Sequence, residues 1–146
     1  MVEITEIKSG QELVEAINDV PLLRKSANGE TIYSYKNARV SLEEMQLSDI
    51  RPVSLYVVRS GLLKQAQLQR DLARHGQDPL NLEASFRVSN EQQAWDLMPP
   101  IVEDDPEDGP CLIDGTHRGY QARLLGRKTF KALRIQTADP RYPIYA

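Results

Sequence analysis

The chain has 146 residues, 27% of them charged and 40% hydrophobic, and a net charge of −3. That is the size and composition of one globular domain, large enough to bury a core without disulfides or metal. A single cysteine, Cys111, excludes an internal disulfide and a Cys-rich zinc site, two distant histidines argue against a His-based metal cluster, and the acidic balance argues against a general nucleic-acid binder.

The N-terminus, Met1 to Glu6, is acidic and has no apolar core of a signal peptide. No apolar run approaches the ~20 residues that span a bilayer. The expected compartment is a reducing cytoplasm, with no membrane partner. Val2 and Ile4 alternate with polar residues and predict a short first strand. Ser9 to Glu12 has the capping-box spacing. Leu13, Val14 and Ile17 continue at helical spacing, and Pro21 closes that helix. Asn28-Gly29 predicts a type I′ hairpin between Leu22-Leu23-Arg24 and Thr31 to Tyr35. Ser41 to Glu44 is a second capping box and predicts a short helical turn, broken by Asp49 to Pro52.

Leu55 to Val58 predicts a buried strand. Ser60 caps the helix that follows, with Leu62, Leu63, Ala66, Leu72 and Ala73 on its inner side and His75-Gly76 at its end. Residues 76–88 read as a loop. Ser89 to Gln92 is a third capping box, before a short helix holding Ala94, Trp95, Leu97 and Met98 that Pro99-Pro100 stops. Trp95 and Met98 read as core rather than as a base-stacking platform.

The last third is the clearest. Ile101-Val102 is a short strand, Glu103 to Pro110 an acidic turn, and Cys111 to Ile113 a second strand. Asp114-Gly115-Thr116 turns into a helix through Arg118 to Leu125, which Gly126 ends. Thr129 to Gln136 is a final strand, and residues 137–146 form an extended tail with two prolines. Charge is polarised here. Residues 83–115 carry nine acids against Arg87, and residues 116–146 carry seven bases against Asp139. A local basic field of that kind can hold a phosphate even on an acidic protein.

Asp114-Gly115-Thr116-His117-Arg118 therefore stands between an apolar strand and an amphipathic helix. The first turn of a helix has unpaired N–H groups and a partial positive charge. Gly115 lets a ligand approach the backbone. Thr116 adds a hydroxyl, His117 an imidazole, and Arg118 a fork that matches phosphate oxygens. Together they describe an anion site, best suited to phosphate. The plainer alternative makes Asp114 an N-cap, Gly115 a turn residue and Arg118 a surface charge. Glu103, Asp104, Asp105, Glu107 and Asp108 read as a solvated turn rather than a Mg²⁺ site. Cys111 reads as a small packing residue and His75 as a helix-end residue.

From about Ser41 to Gln136 the chain resembles the N-terminal domain of ParB partition proteins and their relatives in the ParB/sulfiredoxin superfamily. Pro100-Ile101-Val102, Leu112 to Arg118, Ala122, Leu125-Gly126 and Lys128-Thr129 carry the resemblance, with Val40 to Met45 as the family's first segment. Residues 1–39 stand as a poorly matched N-terminal extension, and residues 77–98 have no counterpart. The resemblance implies an α+β fold: a single ParB/sulfiredoxin-like domain over residues 1–146, with a small mixed sheet and a phosphate-binding box at a helix N-terminus. It implies that Gly115, Thr116, His117 and Arg118 surround the phosphates of a nucleoside triphosphate. Asp114 and His117 are then the candidate catalytic residues, and Asp114 the candidate Mg²⁺ ligand.

Sulfiredoxins place a catalytic cysteine directly before the His-Arg pair, where this chain has Thr116, so sulfinic acid reduction is not expected. Partition ParBs have an arginine where this chain has His117. They also carry DNA-reading and dimerisation domains after this module. Only ten residues follow Gln136, so a complete centromere-binding clamp is not expected. Free-serine kinases of the superfamily use an Asp-Gly-His-His-Arg box, close to residues 114–118. Three functional classes follow. The first is nucleotide binding through the triphosphate, with NTP hydrolysis or phosphoryl transfer as its reaction. The second is a ParB-like nuclease or DNA-binding accessory that uses Arg123, Arg127, Lys128 and Arg134 as a basic face. The third is a protein-interaction module that keeps the fold without the chemistry.

Overall fold

A computed structural model describes residues 2–18, 28–30, 35, 38–52 and 57–136. The chain runs β1 (Glu3–Ser9), α1 (Gly10–Asn18), β2 (Val40–Gln46), a 3-10 turn (Leu47–Asp49), β3 (Arg51–Pro52) and α2 (Arg59–Ala73). It continues through β4 (Ala84–Ser89), β5 (Ala94–Leu97), β6 (Ile101–Asp105), β7 (Gly109–Asp114), α3 (Thr116–Leu124) and β8 (Thr129–Ile135). The fold is α+β, as expected.

Strand β8 organises the larger sheet because its side chains are apolar on both faces, as a central strand requires. Phe130 and Ala132 go to one core with Met45, Leu80, Val102, Leu112 and Ala122 of α3. Leu133 and Ile135 go to another, with Leu13 and Ile17 of α1 and Tyr35. The sheet order is β2-β8-β6-β7-β3. It is mixed: β6 runs parallel to β8, and β3 parallel to β7, while the other two pairings are antiparallel. A second, antiparallel sheet of order β1-β4-β5 packs Ala84, Phe86 and Val88, with Leu82 just ahead of β4, against Leu72 of α2.

Several local expectations yield to these long-range pairings. Ser41 to Glu44 is strand, not a helical turn, because all of β2 from Val40 to Gln46 pairs with β8. Its capping serine instead bonds Glu43 at 2.5 Å. Ser89 to Gln92 opens no helix either. Asn90 Oδ1 accepts from the N–H groups of Gln92 and Gln93, and the tight turn joins β4 to β5 as a hairpin. The loop expected over 76–88 ends at Ala84, where alternating Ala84, Phe86 and Val88 enter the small sheet. The acidic turn shrinks to Pro106–Asp108, since both flanking strands extend into it.

Helix α2 is capped at Val58 rather than Ser60, and Leu63 is exposed while Gln65 is buried in its place. The expected strand at Leu55 to Val58 lies mostly outside the described residues, and Val57 and Val58 are not in a strand. Gly29 has a φ of 82°, yet no described non-glycine residue has a positive φ, so Asn28 does not complete a type I′ turn. The arms of that hairpin, apart from Tyr35, lie outside the described residues, as do Pro21 and the tail over 137–146.

Candidate functional site

The box forms where β7 runs into α3. Asp114 is the last residue of β7, exposed and paired with Ile101. Gly115 takes the N-cap position with φ 98° and ψ 29°, the left-handed region that favours glycine. A Cβ at Gly115 would lie 2.9 Å from Pro100 Cβ and 3.4 Å from the Arg118 guanidinium, so the fold also needs the space. Asp114 is not the cap: no side chain bonds the first turn of α3. The leading N–H groups of the helix are therefore left without a side-chain acceptor.

Arg118 is buried, 7% exposed, against the segment that links β5 to β6. Its guanidinium donates to the Met98 carbonyl at 2.5 Å, and among the described residues no carboxylate pairs with it. Burial pulls its pKa down to about 10, with the Asp114 charge working the other way.

His117 is half-buried, and its Nε2 accepts from the Val58 N–H at 3.3 Å. The imidazole lies so close to Gly61 that a Cβ there would sit 2.5 Å from Nε2. Val58 is the N-cap of α2, which also lacks a side-chain cap. So two helix N-termini meet across one imidazole, which itself accepts the Val58 N–H at the start of α2, and a buried arginine with no carboxylate within ion-pair distance lies behind the second. The sequence indicated the half at 115–118. It missed the half at Arg59-Ser60-Gly61, whose only signals were a glycine in a helix's first turn and a serine mistaken for the cap.

A family model described as the ParB CE domain matches residues 12–146. The chain belongs to the ParB CE domain family. The match takes in residues 12–39 and 77–98, where the motif resemblance found no counterpart. Two solved structures are similar. A conserved hypothetical protein from Pyrococcus furiosus is 16% identical with a TM-score of 0.44, over 83% of this chain and 37% of that one. A Pnob8-like ParB-N domain is 14% identical with a TM-score of 0.41, over 73% of this chain and 33% of that one. This chain thus spans about a third of the length of each. No curated protein matches its sequence.

Elsewhere in this ParB CE domain the expected basic face is mostly spent on the fold. Arg123 donates to the carbonyls of Leu47 and Ile50 at 3.1 and 3.5 Å. Arg127 pairs with Asp78 at 2.8 Å. Arg134 is held by Asp104 at 2.9 Å and Glu43 at 3.5 Å. Of the four residues, Lys128 alone has no side-chain partner among the described residues.

The acidic segment divides the same way. Asp105 Oδ1 accepts from the N–H groups of Glu107 and Asp108, an ordinary solvated turn. Glu103, by contrast, is buried and accepts from the Tyr35 hydroxyl at 2.5 Å, and burial pushes its carboxyl above the ordinary range. Cys111 packs as expected; burial and the nearby Asp105 and Asp108 push its thiol pKa up. Among the described residues no three His, Cys, Asp or Glu side chains are grouped to hold a metal, and no helix is long and apolar enough to cross a membrane.

Proposed function

We propose that this ParB CE domain binds a nucleoside triphosphate by its phosphates, at the junction of the α2 and α3 N-termini. One observation carries the reading: Arg118 is a desolvated cation with no carboxylate within ion-pair distance, at the start of a helix whose leading N–H groups have no side-chain acceptor. An arriving phosphate supplies the missing negative charge. Backbone N–H groups at 115–118 and 59–61 and the hydroxyls of Thr116 and Ser60 are the further donors. Asp114, exposed at the end of β7, is the one carboxylate of the box. Mg²⁺ usually takes one or two carboxylates, substrate phosphates and water, so Asp114 with the phosphate oxygens makes a sufficient ligand set.

His117 serves best as a positioning residue, because Nε2 is engaged by the Val58 N–H and the ring spaces the two helices. NTP hydrolysis or phosphoryl transfer would then depend on Asp114 to place Mg²⁺ or a nucleophile, with Arg118 neutralising charge on the transferred group. The DNA-directed reading has less support, since three residues of its basic face are engaged in the fold. A thermal-shift screen of the four nucleoside triphosphates, each with and without Mg²⁺, tests the proposal. A rise in melting temperature that depends on Mg²⁺ and nucleotide concentration is expected. No rise with any of them would overturn it.

A further inference from the structure

Helix α2 buries Gln65 and Leu72 and turns its opposite side to solvent. Along that side run Leu63, Gln67, Arg70 and Arg74, all exposed, with Leu63 at 61%. Their spacing of four, three and four residues puts them on one face, about 16 Å long. Residues 59–74 carry Arg59, Lys64, Arg70 and Arg74 against one acid, Asp71, in a chain of net charge −3. Asp71 sits at the margin of the face, its side chain 17% exposed, and reaches Arg74 only at 3.8 Å. Arg70 donates to Gln67 at 2.7 Å, and Gln67 donates to Asp71 at 2.9 Å. Both guanidiniums are thus held in place, yet among the described residues no carboxylate pairs with Arg70.

We propose that this face docks an acidic amphipathic helix of a partner protein, with carboxylates on Arg70 and Arg74 and an apolar side chain on Leu63. Charge complementarity carries the choice of occupant. Arginine forks match carboxylates, and positions repeating at four and three present a lengthwise seam to a second helix. A nucleic acid fits less well. It would leave Leu63 unused, find few phosphate contacts, and meet the field of a net-acidic protein. The proposal stands apart from the triphosphate reading, because the face from Leu63 to Arg74 leads away from the start of α2 at Arg59.

The probe is a fluorescein-labelled synthetic helix with glutamates and a leucine placed to face Arg70, Arg74 and Leu63. It is titrated into the full chain and followed by fluorescence anisotropy. A scrambled peptide of the same composition, a peptide with lysine for every glutamate, and a short DNA duplex are run beside it. The acidic helix should bind saturably and the other three should not. Arg70→Glu combined with Arg74→Glu should weaken that binding at least 10-fold and bring in binding of the lysine peptide. Leu63→Ser should weaken it by about 5-fold or more. Circular dichroism should be unchanged in both variants, because these side chains stand in solvent. No binding of the acidic helix, equal binding of the scrambled peptide, or no loss in Leu63→Ser overturns the proposal. Duplex binding that the double charge reversal removes assigns the face to nucleic acid and overturns it as well.

Discussion

Arg118 and Arg134 sit in two regions of the same molecule and are treated in opposite ways. Arg134, on β8, is half-exposed and held between Asp104 and Glu43. Those contacts hold its pKa above the usual arginine value, with the Asp104 hydrogen bond as the main cause. Arg118, on α3, is buried with a carbonyl as its acceptor and no carboxylate, and its pKa falls to about 10. The first arrangement is complete and ties β8 to β6 and β2. The second holds a cation out of water with no carboxylate within ion-pair distance and only the Asp114 charge acting on it from further away. A charge left in that state at a helix N-terminus is the better sign of a ligand than a charge counted on the surface.

The largest expected effect separates those two arginines. Arg118→Gln should weaken nucleotide binding roughly 10- to 150-fold, the equivalent of a charge-assisted bond of about 1.5–3 kcal/mol. Arg118→Lys, which keeps the charge but not the fork, should fall between. Arg134→Gln should cost on the order of 1 kcal/mol in urea unfolding and leave nucleotide affinity unchanged. Calorimetry on the three variants checks the ranking, and equal losses for Arg118 and Arg134 would erase the distinction.

Gly61→Ala comes next. The added methyl would meet the His117 ring at 2.5–2.7 Å and force the two helix starts apart. Overpacking of this kind costs about 1–3 kcal/mol. Nucleotide affinity should drop with it, about 10-fold, and a combined His117→Ala change should restore the stability without the affinity.

A smaller effect separates the two halves of the acidic segment. The Glu103 carboxyl is held above its unfolded value of 4.5, chiefly by burial, against the Tyr35 hydrogen bond. Such a group stabilises the fold below its unfolded pKa and loses that contribution as pH rises through the folded one. The melting temperature of Glu103→Gln should therefore gain on the parent protein as pH rises from about 4 to about 8. Asp105→Asn, in the solvated turn, should show no such trend. The smallest effect is expected at the far end of α3. Replacing Arg127 and Lys128 by alanine should cost at most about 1 kcal/mol, from the Arg127–Asp78 pair, and leave nucleotide affinity where it was.

The sequence was most legible where local chemistry and fold agree. Ile101-Val102, Cys111 to Ile113, the turn at Gly115, the helix to Gly126 and the strand from Thr129 all appear, because glycine turns and apolar runs decide them locally. The capping boxes divide instructively. Ser9 to Glu12 precedes Leu13 and Ile17 at helical spacing, and a helix forms. Ser41 and Ser89 carry the same spacing, but Leu42 and Met45 belong to a ladder with β8, and Trp95 and Leu97 to one with β4. Leu42 and Met45 have partners 91 and 85 residues away, Trp95 and Leu97 partners 7 and 11 residues away, and neither distance falls within a four-residue window. The α2 half of the site was hidden for a similar reason. Gly61 matters only because His117 packs on it, and that meeting is a property of the fold.

Titration of inorganic triphosphate with Mg²⁺ into the parent protein and Arg118→Gln, followed by calorimetry, tests the central claim most directly. It removes base and sugar and leaves only the phosphates to be recognised. Saturable one-to-one binding to the parent protein, weakened at least 10-fold in Arg118→Gln while Arg134→Gln binds as the parent does, is the predicted result. No binding to the parent protein, or binding that Arg118→Gln leaves unchanged, would contradict it.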